Sequence, residues 1–505
     1  MGTSEAGRMS ADPVVIAGAG PGGLLLAGEL SLAGVPCMVL ERRAERSVES
    51  RALGLQARTM ELLALRGVDD RFTSLSNPLD HFRVTVGSTR IQLDQLDSRF
   101  RELAILPQST TERLLEDRAR ELGAVVERSV EVVEVRDKDD AVFVVAKTPE
   151  GQREIRASWV VGADGGHSAV RKSLNLPFTG KTYDYDVVVG DVRLEHEPAD
   201  GMLVEVGKGG IVVAIDFGNG WWRMGAVTRG PAATTTERPT LPELRTALTG
   251  VFGYDVGPHD PLWITRFRFQ RRHMSSYRRG RVLFLGDAAH VHAPLGAQGV
   301  NMSLQDAMNL GWKLASVAKG EAPLALLDSY EQERRPIAGR VLRVTDMGIR
   351  VLMSRNPAIR ILRRLVMPNV IGSRRGNRLA ANLVSGLAWR YSAASFGPRG
   401  GELAGRRVPD ATVEDAEGHT SNLFDFFSSG NFVLVDQDQP SGVARVIEPW
   451  PELVLVRGRV TPAAGLGRHR FILCRPDGYV AWAGTHADLG ELRVRLEEWL
   501  GSPVR

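Results

Sequence analysis

Cysteine is nearly absent: the 505 residues hold two, Cys37 and Cys474, in no CxxC pair. That excludes a disulfide framework and a thiolate metal cluster. His290 and His292 stand close together but have no partnering cysteine or acid cluster, so no metal site is expected. Long apolar runs are missing too, since none reaches the roughly 18 residues of a membrane helix. The opening MGTSEAGRMSADP lacks the apolar core of a signal peptide. An excess of one charge is also missing: 64 basic and 60 acidic side chains leave a formal charge of +4, with no dense basic patch of the kind nucleic-acid proteins use. These absences predict a soluble, cytoplasmic protein with neither nucleic-acid nor membrane partners. With 43% hydrophobic and 25% charged residues, the chain is long enough for two or three domains with large cores.

What is present begins at VVIAGAGPGGLLLAGELSLAGVPCMVLE, residues 14–41. Val14, Val15 and Ile16 read as a buried strand. Gly18, Gly20 and Gly23 follow at GxGxxG spacing, then a helix-length segment and a second apolar strand ending on Glu41. The glycines have separate tasks: Gly18 makes the tight turn, Gly20 lets the backbone approach a pyrophosphate, and Gly23 lets helix and strand pack closely. The phosphates would rest on free N–H groups at the helix start, and Glu41 would accept from a ribose hydroxyl. Arg42, Arg43, Arg46 and Arg51 come next; most read as a solvated loop. Arg51 is the one expected at the cofactor, because its fork binds two phosphate oxygens at once.

From SR-x-LGLQARTMELL, residues 50–63, the chain resembles the group A flavin-dependent aromatic hydroxylases, relatives of para-hydroxybenzoate hydroxylase. More narrowly it is similar to the bacterial polyketide hydroxylases acting on angucycline or anthracycline intermediates. GADGGHSAVR at 162–171 and GDAAHVHAPLGAQGVNMSLQDAMNLGWKL at 286–314 carry the resemblance further, and RPDGYVAW at 475–482 extends it to the C-terminus. It implies FAD contacts at Gly18, Gly20, Gly23, Glu41, Arg42, Arg51, Gln108 and Asp164. Later in the chain it implies them at Asp287, Pro294, Gly296, Gln298, Gly299, Val300 and Asn301. Arg51 and Pro294 are the candidate catalytic residues; no general base is assigned, since a phenolic substrate can ionise without one. By its chemistry alone, Asp164 could also be a plain helix cap. Ala297 stands where the family commonly has glycine.

Between Tyr183 and Arg272 period-two alternation predicts an antiparallel sheet over the substrate, with Trp222 and Arg223 as candidate contacts. The resulting expectation is an α/β chain in four parts. Residues 10–180 and 276–398 form a Rossmann-type FAD-binding domain with a helical connector, 181–275 a substrate sheet, and 399–505 a thioredoxin-like C-terminal domain. In the connector Ile359, Leu362 and Val366 share a helix face, with Arg360, Arg363 and Arg364 elsewhere on the turn; a basic amphipathic helix can lie on a membrane, but packing on the substrate sheet or on a second subunit of a homodimer is the expectation. One dinucleotide fingerprint implies that NADPH or NADH visits and leaves. The resemblance then implies monooxygenation by FAD and O2, through a flavin C4a-hydroperoxide, on a polycyclic aromatic substrate. Baeyer–Villiger oxygenation and a non-catalytic flavin-containing binding protein are the alternatives, and no WxWxIP segment supports a halogenase.

Overall fold

The computed structural model describes residues 12–501 apart from 48, 50–51, 85–88, 139–140, 208, 230–237, 294–295, 393–401, 438–441, 462–464 and 485–488. The first apolar run forms strand β1 (Val14–Ala17), buried at every position, as suits a strand covered on both faces. Helix α1 (Pro21–Leu32) follows, with Pro21 in its first turn where a missing N–H costs nothing. Strand β2 (Cys37–Glu41) returns parallel to β1, Val15 beside Met38. Helix α2 (Ala57–Ala64) is buried along its length, and α3 (Gln108–Glu121) lies against α1 through Leu114, Leu115 and Ala119. Strands β3 (Val125–Arg128) and β4 (Trp159–Gly162) extend the sheet on either side of β2 and β1.

The chain then leaves this sheet for another. Strands β5 (Phe178–Leu194), β6 (Met202–Val206), β7 (Gly210–Asp216) and β8 (Trp222–Arg229) pair antiparallel in the order β5-β8-β7-β6. Helix α4 (Leu241–Phe252) opens with a capping box between Thr240 and Glu243 and ends on Gly253 at φ 83°. Its Leu244, Leu248 and Val251 cover one sheet face, over Val188, Val212, Trp222 and Met224. Strand β9 (Pro258–Met274) pairs beside β5, His290–Val291 adds to its outer edge, and His81–Val84 with Thr89–Gln92 extends the sheet beyond β6.

Strand β10 (Val282–Phe284) brings the chain back beside β4, giving the order β10-β4-β1-β2-β3, all parallel, with Arg278–Arg279 pairing at the outer edge. Helices α5 (Gln298–Ala318) and α6 (Leu326–Leu352) follow, the latter running unbroken through Pro336. The connector continues as α7 (Pro357–Gly372) and α8 (Arg374–Val384). Helix α7 has no fully buried residue, and its contact with the substrate sheet is made by half-buried side chains, Met367 against the cluster of Tyr185 and Phe269 and Ile371 against that of Phe82 and Ile91.

The C-terminal unit is a mixed four-stranded sheet: β11 (Val433–Asp436), β12 (Val454–Arg457), β13 (Phe471–Cys474) and β14 (Val480–Gly484), ordered β12-β11-β13-β14. Both cysteines are buried, so a thiol exchange role for this unit has no exposed group to use. The unit is bolted to the nucleotide domain by buried ions. Arg475 donates to both Glu333 oxygens at 2.7 and 2.9 Å, and Lys313 Nζ reaches the same carboxylate at 2.8 Å. The turn after Arg475 receives Arg66 on Pro476 O and Arg58 on Asp477 O, both at 3.0 Å.

Candidate flavin site

Four adjacent parallel strands end at one edge of the nucleotide sheet, and an expected site residue follows or closes each. Gly18 follows β1, Glu41 closes β2, Asp164 lies just past β4 and Asp287 just past β10. Strands lie about 4.8 Å apart, so the four span roughly 15 Å of the carboxyl edge where such folds hold ligands. Gly18 sits at φ 106°, and a Cβ there would come 2.6 Å from Ala163 O. A Cβ on Gly23 would come 2.2 Å from Gly18 O, so helix and strand meet as closely as the motif implies. Gly20 differs: a Cβ there would meet nothing within 4 Å. That opening, in front of an α1 start with no side-chain cap, fits a pyrophosphate.

Glu41 is held rather than free. Its Oε2 accepts from Ala19 N at 2.9 Å and its Oε1 from Arg43 N at 3.0 Å, fixing the carboxylate at the turn. Arg42 is exposed in the loop beyond. Asp164 caps the short helix Ala169–Ser173: its Oδ2 accepts from Ala169 N at 2.7 Å and Val170 N at 3.2 Å. Its Oδ1 is buried with no hydrogen-bond partner among the described residues, and burial pushes the carboxyl above its ordinary range. The helix-cap reading of Asp164 is thus met by Oδ2, and Oδ1 is left over at the sheet edge. Asp287 lies exposed on a 3-10 turn, and its side chain bonds no described residue.

The turn under Asp287 is braced from below by three residues the motifs did not single out as a unit. Asp306 Oδ2 accepts from Gly286 N at 3.1 Å and contacts His290 Nε2 at 2.7 Å, while Oδ1 accepts from Arg334 Nε at 2.7 Å. Burial would raise the Asp306 carboxyl, but Arg334 and His290 outweigh it and hold it down. Arg171 ties this turn to the other, donating to Ala288 O at 2.8 Å and Gly166 O at 2.7 Å.

At the start of α5, Ala297 takes the left-handed conformation, φ 54°, and no side chain caps the helix. Gly296 is also left-handed at φ 77°, Gly299 half-buried, Val300 buried. Asn301 is the clasp of this loop: Nδ2 donates to Ala297 O at 2.7 Å and Gly54 O at 2.8 Å, and Oδ1 accepts from Gln56 N at 2.9 Å. Gln56, which sequence reasoning passed over, returns a bond from Nε2 to Gly296 O at 2.9 Å. Gln298 turns to the connector, its Nε2 3.4 Å from Leu383 O. Gln108 holds the segment before Gln56, accepting from Ala52 N at 3.1 Å. Arg51 and Pro294 lie outside the described residues.

On the substrate sheet, register separates the two candidate contacts. Trp222 faces α4, in the core of that helix, so it points away from the other sheet face. Arg223 stands on the opposite face, paired with Asp191 through Nε at 2.7 Å and Nη2 at 2.9 Å, its guanidinium 4.8 Å from the Trp263 ring. Burial raises the Asp191 carboxyl even beside this partner. The same face carries Tyr185, Val187, Val227 and Phe269, backed by Ile349 and Leu352 of α6.

The uncapped α1 start, the open cradle at Gly20 and the carboxylates at the sheet edge suit a flavin dinucleotide, and the comparisons agree. Residues 12–345 match an FAD binding domain family, and residues 401–503 match the aromatic-ring hydroxylase C-terminal family. The chain is 37% identical to the 12-dehydrotetracycline 5-monooxygenase/anhydrotetracycline 6-monooxygenase of Streptomyces rimosus, over 97% of this chain and 99% of that one. It is 32% identical to the dialkyldecalin synthase of Streptomyces rugosporus, over 97% and 99% of the two chains. The solved OxyS anhydrotetracycline hydroxylase of Streptomyces rimosus superposes with a TM-score of 0.87 at 37% identity, covering 98% and 100% of the two chains. The chain belongs to the FAD-dependent aromatic-ring hydroxylases. It is an FAD-dependent monooxygenase, for which NAD(P)H and O2 are the co-substrates.

Proposed function

We propose that this enzyme hydroxylates a polycyclic aromatic polyketide intermediate in antibiotic or other secondary-metabolite biosynthesis. The observation that carries the reading is the match, along nearly the whole of both chains, to an enzyme named for anhydrotetracycline. Bound FAD would supply reduction by the nicotinamide nucleotide and activation of O2. The chain's own residues supply position. Gly20 and the α1 start receive the pyrophosphate, and Glu41 a ribose hydroxyl. Asp287 would hold a hydroxyl of the ribityl chain, and the free N–H groups at the start of α5 would favour negative charge on the flavin's pyrimidine ring. Asp164 Oδ1 offers a further acceptor at this edge. The apolar face around Tyr185, Val187 and Phe269 keeps water from the reacting centre, and the Arg223–Asp191 pair forms its polar end.

A second reading comes from the dialkyldecalin synthase, whose name describes no oxygen transfer. Ring insertion next to a ketone is a third outcome of the same cofactor chemistry. One experiment separates them: the flavin spectrum of the purified protein, then NADPH consumption and product mass with a tetracyclic phenol. Bound flavin, stimulated consumption and a product heavier by one oxygen atom establish a monooxygenase of this substrate class, and product structure tells hydroxylation from ring insertion. Turnover of a polyene without NADPH consumption supports the cyclising reading. Flavin that no ligand renders reducible overturns both oxygenating readings.

A further inference from the structure

Between Asp346 and Glu402 the chain carries ten arginines and not one acid or lysine, although the protein as a whole is nearly balanced in charge. Within that stretch α7 is turned inside out. Ile361, Leu362, Leu365 and Val366, spaced to share one helix face, are 59, 57, 61 and 43% exposed. Only Ile359, Met367, Pro368 and Ile371 are partly covered among its apolar residues beyond the outward stripe. Val370 of α7 and Leu379 of α8 prolong the exposed apolar surface at 52 and 62%. Arg360 and Arg364 of α7 and Arg374, Arg375 and Arg378 of α8 are exposed and pair with no carboxylate among the described residues. The last three, with Arg101, line a cleft of about 550 Å³ whose one acid, Asp97, is already paired with Arg407.

We propose that α7 and the start of α8 rest on an anionic lipid surface, the aliphatic stripe at the headgroup–acyl boundary and the arginines on phosphates. No helix here is long and apolar enough to cross a bilayer, and adsorption requires none. A second copy is disfavoured as occupant, because two-fold pairing would set an acid-free face against itself. An acidic protein is disfavoured by the stripe: α7 has no aromatic residue, and Asn369 is its one uncharged polar side chain, whereas protein interfaces centre on aromatic anchors. Aliphatic side chains need only an apolar phase. On its inner side Met367 joins the cluster of Tyr185, Val187 and Phe269, so the lipid would lie one helix thickness, about 10 Å, from the substrate sheet. An apolar polycyclic ligand could then pass from lipid to sheet without crossing water.

The test is flotation of the full-length flavin-loaded protein with phosphatidylglycerol-rich vesicles, and with pure phosphatidylcholine as the neutral surface. Association with the anionic vesicles alone, released by high salt, is expected. The double variant Leu362→Ser/Leu365→Ser should weaken it by more than ~10-fold, and Arg360→Gln or Arg364→Gln by about five-fold each. All four side chains are exposed, so flavin content and far-UV circular dichroism should stay as in the parent. Absence of flotation from protein with native flavin content overturns the proposal. So does a dimer in solution that the Leu362/Leu365 variant dissociates, or binding to polyglutamate without binding to vesicles.

Discussion

Arg58, Arg66, Arg334 and Arg475 lie inside the protein against Glu61, Glu29, Asp306 and Glu333, whereas Arg360, Arg364, Arg374 and Arg375 lie outside it against no acid among the described residues. The buried four join segments remote in sequence: the C-terminal turn at Arg475, the helices α2, α5 and α6, and α1 through Glu29. Dehydrating a guanidinium costs several kcal/mol, and only close geometry with saturated hydrogen bonds offsets it. The outer four keep their hydration and impose no geometry. Equal residues thus build an interface in one place and a charged face in the other, and a count of arginines distinguishes neither.

The sharpest contrast should come from matched substitutions. Arg475→Met leaves Glu333 and Asp477 buried beside a lone Lys313, and a loss of about 3–5 kcal/mol is expected, read as a fall in the urea midpoint. An unchanged midpoint would mean that the C-terminal unit is not held by its ions. The same cluster predicts two pH dependences. Burial pulls the Lys313 ammonium down to about 8 from 10.5 despite its Glu333 partner. Between those values the unfolded chain holds a proton that the folded chain has released, so stability rises with pH there, and Lys313→Met should abolish that slope. Burial would raise the Glu333 carboxyl, but Arg475 and Lys313 hold it down at about 2. Its contribution is complete above about pH 4.5 and is lost as pH falls through about 2.

Asp287→Asn, at the cofactor edge, removes a charged acceptor. FAD affinity should fall about ten-fold or more, measured by flavin fluorescence on titration, with folding stability unchanged. Ala297→Gly should raise the unfolding midpoint by an amount equivalent to about 1 kcal/mol, because Ala297 holds a left-handed conformation that glycine adopts freely. Smallest of all, Arg364→Met should leave stability within ~0.5 kcal/mol of the parent, the outer counterpart of Arg475→Met.

The edge that carries Gly18, Glu41, Asp164 and Asp287 was legible because each residue belongs to a short motif whose strand, turn and helix are contiguous in sequence. The clasp between Gln56 and Asn301 was not, because 245 residues separate its partners. Trp222 and Arg223 were both expected at the substrate, but neighbours on a strand face opposite ways, and which face α4 would cover depends on packing that no local pattern records. Likewise the periodicity of α7 showed that Ile359, Leu362 and Val366 share a side, and left open whether that side turns inward. The missing information is in each case an orientation relative to a distant element.

The nucleotide sheet is interrupted after β4 and completed only by β10, with most of the substrate sheet inserted between them. During synthesis, at about 5–20 residues per second, most of the substrate sheet therefore leaves the ribosome before the edge that holds Asp287 and the α5 loop, and its last strand, His290–Val291, only after Asp287 itself. Flavin capture is consequently a late event in the life of the nascent chain.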